Sequence, residues 1–198
     1  MKRLRLVLWI LVGLAAAAVI ALLLRTPEPS TGQVEQTVMA PIGGPFTLTG
    51  TDGQPFASSR LAGKPAAVFF GFTNCPDVCP TTLARLTKLR RQVGKGEDAF
   101  SIVFISVDPE RDTPAEVGKY MALYDTPVVG LTGSAADIER VKKQFGVYSA
   151  KAPQPGGGYS VDHTAAVFLM DRNGGFVSTL AYEEGDDVAL DKLRRITN

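Results

Sequence analysis

The hydrophobic positions of this chain fall into one long run and a series of short ones. The long run, Leu6 to Leu24, carries no charge and follows Lys2, Arg3 and Arg5. It matches the ~20 apolar residues a helix needs to cross a bilayer, so residues 1–25 are expected to form a membrane anchor. Ala15 to Ala18 offer the small residues of a signal-peptide cleavage site, but the run continues through VIALLL, where a signal peptide would turn polar. The retained anchor is therefore the preferred reading. Basic residues on the short N-terminal side hold that side in the cytoplasm. The expectation is a single pass through a bacterial inner membrane with everything after Arg25 in the periplasm, and no Arg- and Ser-rich transit peptide argues otherwise.

After the span, TPEPSTGQVEQTVMAP is polar and without period, so residues 26–41 read as a flexible tether. The short runs then set out a folded domain over 42–198. PFTLTGTDGQPF alternates around Thr51-Asp52-Gly53 as a hairpin does. PAAVFFGF and FSIVFISVD are continuous apolar runs, as expected of strands buried on both faces. Between them Pro80, Thr81 and Thr82 suit the first turn of a helix whose apolar stripe is Leu83, Leu86 and Leu89. A second helix is predicted from Pro114 to Tyr124, a strand at VVGLTG, and a helix opened by Ser134 and closed at Gly146. A hairpin is predicted across Arg172-Asn173-Gly174, followed by a last helix over DDVALDKLRRIT. Two strand–helix–strand units followed by an antiparallel hairpin and a helix are the layout of a thioredoxin-like α/β sandwich, here with an N-terminal hairpin. One stretch has no readable pattern. Val147 to Thr164, rich in Pro and Gly, is expected to be an inserted loop of functional length.

Composition narrows the function classes. At 198 residues with a formal net charge of +1 and 45% hydrophobic content, the chain has one domain's worth of core and no basic stripe interleaved with aromatics. This disfavours nucleic acid as a partner. Two cysteines are too few for a disulfide scaffold, so Cys75 and Cys79 read as a site.

In GFTNCPDVCP the thiols stand at i and i+4 where a strand turns into a helix, which lets them converge. A helix N-terminus favours thiolate, whereas Asp77 between them works against it. A structural disulfide would close only a short loop worth roughly 2 kcal/mol. A dithiol oxidoreductase competes, but thioredoxin-type enzymes space their cysteines by two residues and place a proline before the strand that faces them. Here the spacing is three, and SVDHTAAVFL carries His163, the only histidine, at that place. A histidine ahead of a strand is commonly a cap or a packed side chain; in this fold the loop before that strand lies against the cysteine loop, so His163 is expected to face the thiols. Structural zinc would require four protein ligands, and no third cysteine or second histidine exists. Two thiolates and one imidazole suit copper, as Cu(I) or Cu(II), and an open three-ligand site suits a metal that is passed on.

GFTNCPDVCPTTL, SVDPERDTP and DHTAAVFLMDRNG, in this order and preceded by IGGPFTLTGTDGQPF, resemble the Sco/SenC copper chaperones of cytochrome c oxidase assembly. The resemblance covers Ile42 to the C-terminus and the anchor. It implies copper bound by Cys75, Cys79 and His163, and copper delivery or thiol reduction at the dinuclear site of oxidase subunit II. It implies an assembly factor rather than a turnover enzyme, with thiol-disulfide reduction through a Cys75–Cys79 disulfide as the alternative and thiol-based peroxide or redox sensing as a third reading. Another periplasmic copper chaperone or a thioredoxin-like reductant is an expected further partner. Asp108, Arg111 and Asp112 match the second motif. Asp108, at the carboxyl end of a central strand, is expected to assist the copper site or the thiols. Asp112 is expected to cap the helix begun by Pro114, with Thr113 as the other candidate cap. Asp77 and Pro76 are expected to shape the metal loop.

Overall fold

Runs of Val, Ile and Phe with no polar position have nowhere to face but a core on both sides, and such runs form the middle of the sheet. The structure, a computed structural model, describes residues 2–23 and 41–198. It divides into units over Met1–Met39 and Ala40–Asn198. The first contains α1 (Lys2–Leu23). The side chains described in α1, Arg5 and residues 9–20, are exposed. Among the described residues no helix is long and apolar enough to cross a membrane. The tether expected over 26–41 lies, Pro41 excepted, outside the described residues.

In chain order the second unit holds β1 (Thr47–Gly50), β2 (Pro55–Ala57), β3 (Ala66–Gly71), α2 (Val78–Val93), β4 (Ser101–Ser106), α3 (Pro114–Met121) and β5 (Val128–Thr132). It continues with α4 (Ala135–Phe145), β6 (Ser149–Pro153), β7 (Tyr159–His163), β8 (Val167–Met170), β9 (Phe176–Leu180) and α5 (Asp186–Thr197). Seven strands form one sheet in the order β2-β1-β5-β4-β3-β8-β9. β3, β4 and β5 are parallel, and β8 returns antiparallel beside β3. This is the thioredoxin-like α/β sandwich. On one face Phe69 and Phe104 pack together, with Phe104 against Tyr120 of α3. On the other, Phe70 and Phe168 meet Phe145 of α4. α5 packs along α2.

The N-terminal hairpin turns at Gly53, whose φ of +75° is open to glycine at little cost. α4 is capped by Ser134, whose hydroxyl accepts from the Asp137 N–H, and ends on left-handed Gly146. Three expectations are corrected. Val147 to Thr164 is not a loop but chiefly a β-hairpin of its own, β6 on β7, with Ser149 opposite His163 and Pro153 opposite Tyr159. Its turn runs through Gly156, Gly157 and Gly158, all at positive φ, and those glycines mask the flanking strands in the sequence. α3 stops at Met121, because the amides of Leu123 and Tyr124 bond three residues back and tighten the last turn. Its cap is Thr113, which accepts from the Glu116 N–H; Asp112 points inward instead.

Candidate metal centre

β3 ends at Gly71 and α2 begins at Val78, so the chain turns over the top of the sheet through a segment that holds Cys75, and Cys79 is the second residue of the helix. The helix starts two residues ahead of Pro80, which falls in the first turn, where a missing N–H costs nothing. Asp77 occupies the N-cap position but makes no capping bond; it is exposed and accepts only from the Thr81 hydroxyl at 3.3 Å. The Cys79 N–H is taken by the Cys75 sulfur at 3.4 Å. Both thiols are free, Cys75 half-buried and Cys79 fully buried. Gly71 leaves room for this approach: a Cβ there would stand 2.8 Å from both the Cys79 sulfur and a Phe104 ring carbon.

His163 arrives from the last position of β7. Its Nδ1 is 3.0 Å from the Thr164 carbonyl oxygen, which can only accept, so Nδ1 carries the proton and donates. Nε2 is left with its lone pair, 3.5 Å from the Cys79 sulfur. The rings of Phe69 and Phe72 stand edge-on to the imidazole with centroids at 6.0 and 5.8 Å. One ligand atom from each of Cys75, Cys79 and His163 lies within 4.8 Å of the others. No other such group of His, Cys, Asp and Glu occurs among the described residues.

Burial sets the protonation states. It pushes the Cys79 thiol up, against the backbone hydrogen bond of Phe72, and the neighbouring Cys75 and Asp112 add to the rise. Burial also lowers His163, outweighing the Thr164 carbonyl and Asp162, which favour its charged form. A neutral imidazole with a bare Nε2 beside two sulfurs is a donor set for a soft or borderline metal that can replace the thiol protons. The same pair of sulfurs could close to a disulfide.

Behind these three residues lies a layer the sequence suggested only in part. Asp112, with no exposed surface, accepts from the Thr73 N–H at 2.9 Å, the Thr73 hydroxyl at 2.6 Å and the Ser106 hydroxyl at 2.6 Å. It therefore ties the cysteine loop to the end of β4. Asp108, 2% exposed, is paired with the Arg111 guanidinium and accepts from the Tyr159 hydroxyl at 2.9 Å. Its carboxylate bonds to Arg111 and to the hairpin and not to the thiols. Tyr159 was hidden in the stretch that reads as loop. Thr73 stands inside the quoted cysteine motif, but nothing in the motif announces its partner. A larger apolar cavity of about 350 Å³, walled by Phe46, Leu61, Val68, Phe145 and Met170, shares no residue with the ligand cluster.

Comparison with known proteins gives the same answer from outside. The chain is 34% identical over 194 residues to the SCO2-like protein RC0895 of Rickettsia conorii, covering 95% of this chain and 93% of that one. The structure of Bradyrhizobium japonicum ScoI with copper bound matches with a TM-score of 0.71 at 44% identity, over 78% of this chain and 99% of that chain. BsSco, a member of the Sco family of cytochrome c oxidase assembly proteins in which a disulfide switch was identified, matches with a TM-score of 0.60 at 28% identity, over 79% and 96%. Residues 34–198 match the SCO1/SenC family, and the chain belongs to it.

Proposed function

We propose that this protein binds copper through Cys75, Cys79 and His163 and delivers it to, or otherwise matures, the dinuclear copper site of subunit II of cytochrome c oxidase. The observation that carries this reading is the convergence of two sulfurs and a lone-pair nitrogen within 4.8 Å. The copper-bound ScoI relative supports the identity of the metal. Copper is cargo here: with three protein ligands and a half-exposed Cys75, an incoming thiol can reach the metal. The apolar run behind Lys2, Arg3 and Arg5 supports an anchor in a bacterial inner membrane, with the folded unit on the periplasmic side. Asp108 and Asp77 are assigned to the surroundings of the site and not to the metal. A protein of this kind is an assembly factor, supplied by another copper carrier or kept reduced by a thioredoxin-like partner.

The second reading is a thiol-disulfide reductase that keeps the oxidase copper-site cysteines reduced. It is favoured by the proximity of the two free sulfurs and by the disulfide switch of BsSco. His163→Ala separates the two. Weakened Cu(II) binding together with a fall in assembled oxidase that added copper partly restores is the result expected of a chaperone. Unchanged copper affinity and unchanged oxidase activity would leave the reductase.

A further inference from the structure

We infer that Arg111 is a positioning residue that holds His163 against the thiols by clamping the β6–β7 hairpin; the inference rests on the three-ligand copper reading. The hairpin is a separate two-stranded sheet, and apart from Val161 its strand residues are exposed or half-buried. Its own packing therefore does little to fix the strand that ends in His163.

Arg111 supplies what the hairpin lacks. Its guanidinium carbon lies 3.9 Å from the centroid of the Tyr159 ring, and its Nη1 donates to the Tyr159 carbonyl at 2.8 Å. Nε is bound by Asp108, which also receives the Tyr159 hydroxyl. One arginine and one buried carboxylate thus grip a single residue of β7 at its ring, its hydroxyl and its backbone, four positions ahead of His163. Nη2 is buried and unpartnered, and the hydrogen bonds at Nε and Nη1 set the plane of the guanidinium against the Tyr159 ring.

The second contact of that plane leads to the ligands. The Arg111 carbon is 5.9 Å from the centroid of Phe72. The Phe72 ring stands edge-on to His163, and its carbonyl accepts the Cys75 N–H at 3.3 Å. Phe72 thus meets two of the three candidate ligands, Cys75 through its carbonyl and His163 through its ring. Arg111 therefore joins the hairpin to a residue that touches both the cysteine loop and the imidazole. A lysine would retain the charge but neither the planar face nor the fork.

The test uses purified full-length protein in detergent, with Arg111→Lys and Tyr159→Phe compared against unsubstituted protein and His163→Ala. Cu(II) loading is read by the nitrogen couplings in the EPR spectrum and by release to a chelator, and hairpin stability by hydrogen exchange in metal-free protein. Arg111→Lys should lose or scatter the histidine nitrogen couplings, release Cu(II) about 10- to 100-fold faster as expected when a ligand loses its outer support, and exchange the β6–β7 amides faster. Cu(I) held by the thiol pair should stay close to the unsubstituted level. Unchanged couplings and release in folded Arg111→Lys, even with a lowered melting temperature, would overturn the inference and leave the arginine a structural ion pair. Should that variant fail to fold, Tyr159→Phe carries the same expectation at smaller amplitude, and wild-type couplings and hydrogen exchange there overturn it equally. Absence of nitrogen couplings in the unsubstituted protein would overturn the three-ligand reading itself, and this inference with it.

Discussion

The thiols and the imidazole stand on ground of different firmness. Cys75 and Cys79 sit where β3 passes into α2: all six residues of that strand are buried, and Leu83, Leu86 and Leu89 root the helix in the core. His163 sits at the end of a hairpin outside the main sheet, held to it by Arg111, Asp108 and the ring of Tyr159. Elements with few buried apolar contacts open at lower free energy than core strands. A metal shared between the two regions would thus have two ligands beside core elements and a third on the element that opens first. Under the proposed delivery role, the separation would place retention on the core and adjustment on the periphery.

The largest effect should come from the firm side. Cys79→Ser removes a soft ligand from the buried centre, and an alcohol is a poor replacement at neutral pH; titration should find Cu(I) binding lost while the circular dichroism of the fold is retained. A Cys79→Ser protein that still binds copper tightly would remove the thiols from the site. Asp112→Ala comes next. Three donors would lose a buried carboxylate, and hydrogen bonds to charged acceptors contribute about 1.5–3 kcal/mol each. Denaturant unfolding should therefore show a loss of about 3 kcal/mol or more, with Thr73 and the cysteine loop the first region to gain hydrogen exchange. A loss below about 1 kcal/mol would mean that water replaces Asp112 in full.

The same contrast explains what could be read from the sequence. β3, β4 and the stripe of α2 were legible because burial on both faces, or along one helical stripe, leaves an unbroken or periodic apolar pattern. The clustering of Cys75, Cys79 and His163 was legible because they are rare residue types at fixed places in a recognisable layout. The hairpin was not. With Val161 its one buried strand residue, β6–β7 carries no alternation strong enough to outweigh Pro153, Pro155 and three glycines. The support layer was legible as residue types but not as partners: Asp112 beside Thr113 and Pro114 looks like a cap, and only the folding of β4 against the cysteine loop turns it toward Thr73, 39 residues away.

The soft side should respond in smaller steps. His163→Ala should weaken Cu(II) binding while weakened Cu(I) binding through the thiols persists, as read by competition with a chelator for each oxidation state. The pH dependence should then be the same in both proteins over about pH 7 to 8. Cys79 is raised by burial, so it is protonated there and must give up its proton to the metal; Cu(I) affinity falls as pH falls, about tenfold per unit for each proton displaced. His163 is lowered by burial, so it is already neutral and displaces none. Loss of one full unit of slope in His163→Ala would mean that the imidazole is charged in the metal-free protein.

The smallest effect should come from the other cation on Tyr159. Lys151 places its ammonium 4.5 Å from the same ring centroid that Arg111 covers at 3.9 Å. On a contact count alone the two would share the work of holding the hairpin. Their settings differ. The Arg111 side chain is mostly buried and tied to Asp108, whereas that of Lys151 is exposed and paired with exposed Glu110 at the rim. A hydrated ammonium on a flexible stem gains little from a ring it can leave for water, and exposed pairs contribute little to stability. Lys151→Ala should therefore leave the melting temperature and the Cu(II) nitrogen couplings at wild-type values. A change as large as that of Arg111→Lys would show that the hairpin is held by cationic contact with Tyr159 in general, and not by the planar, buried arginine.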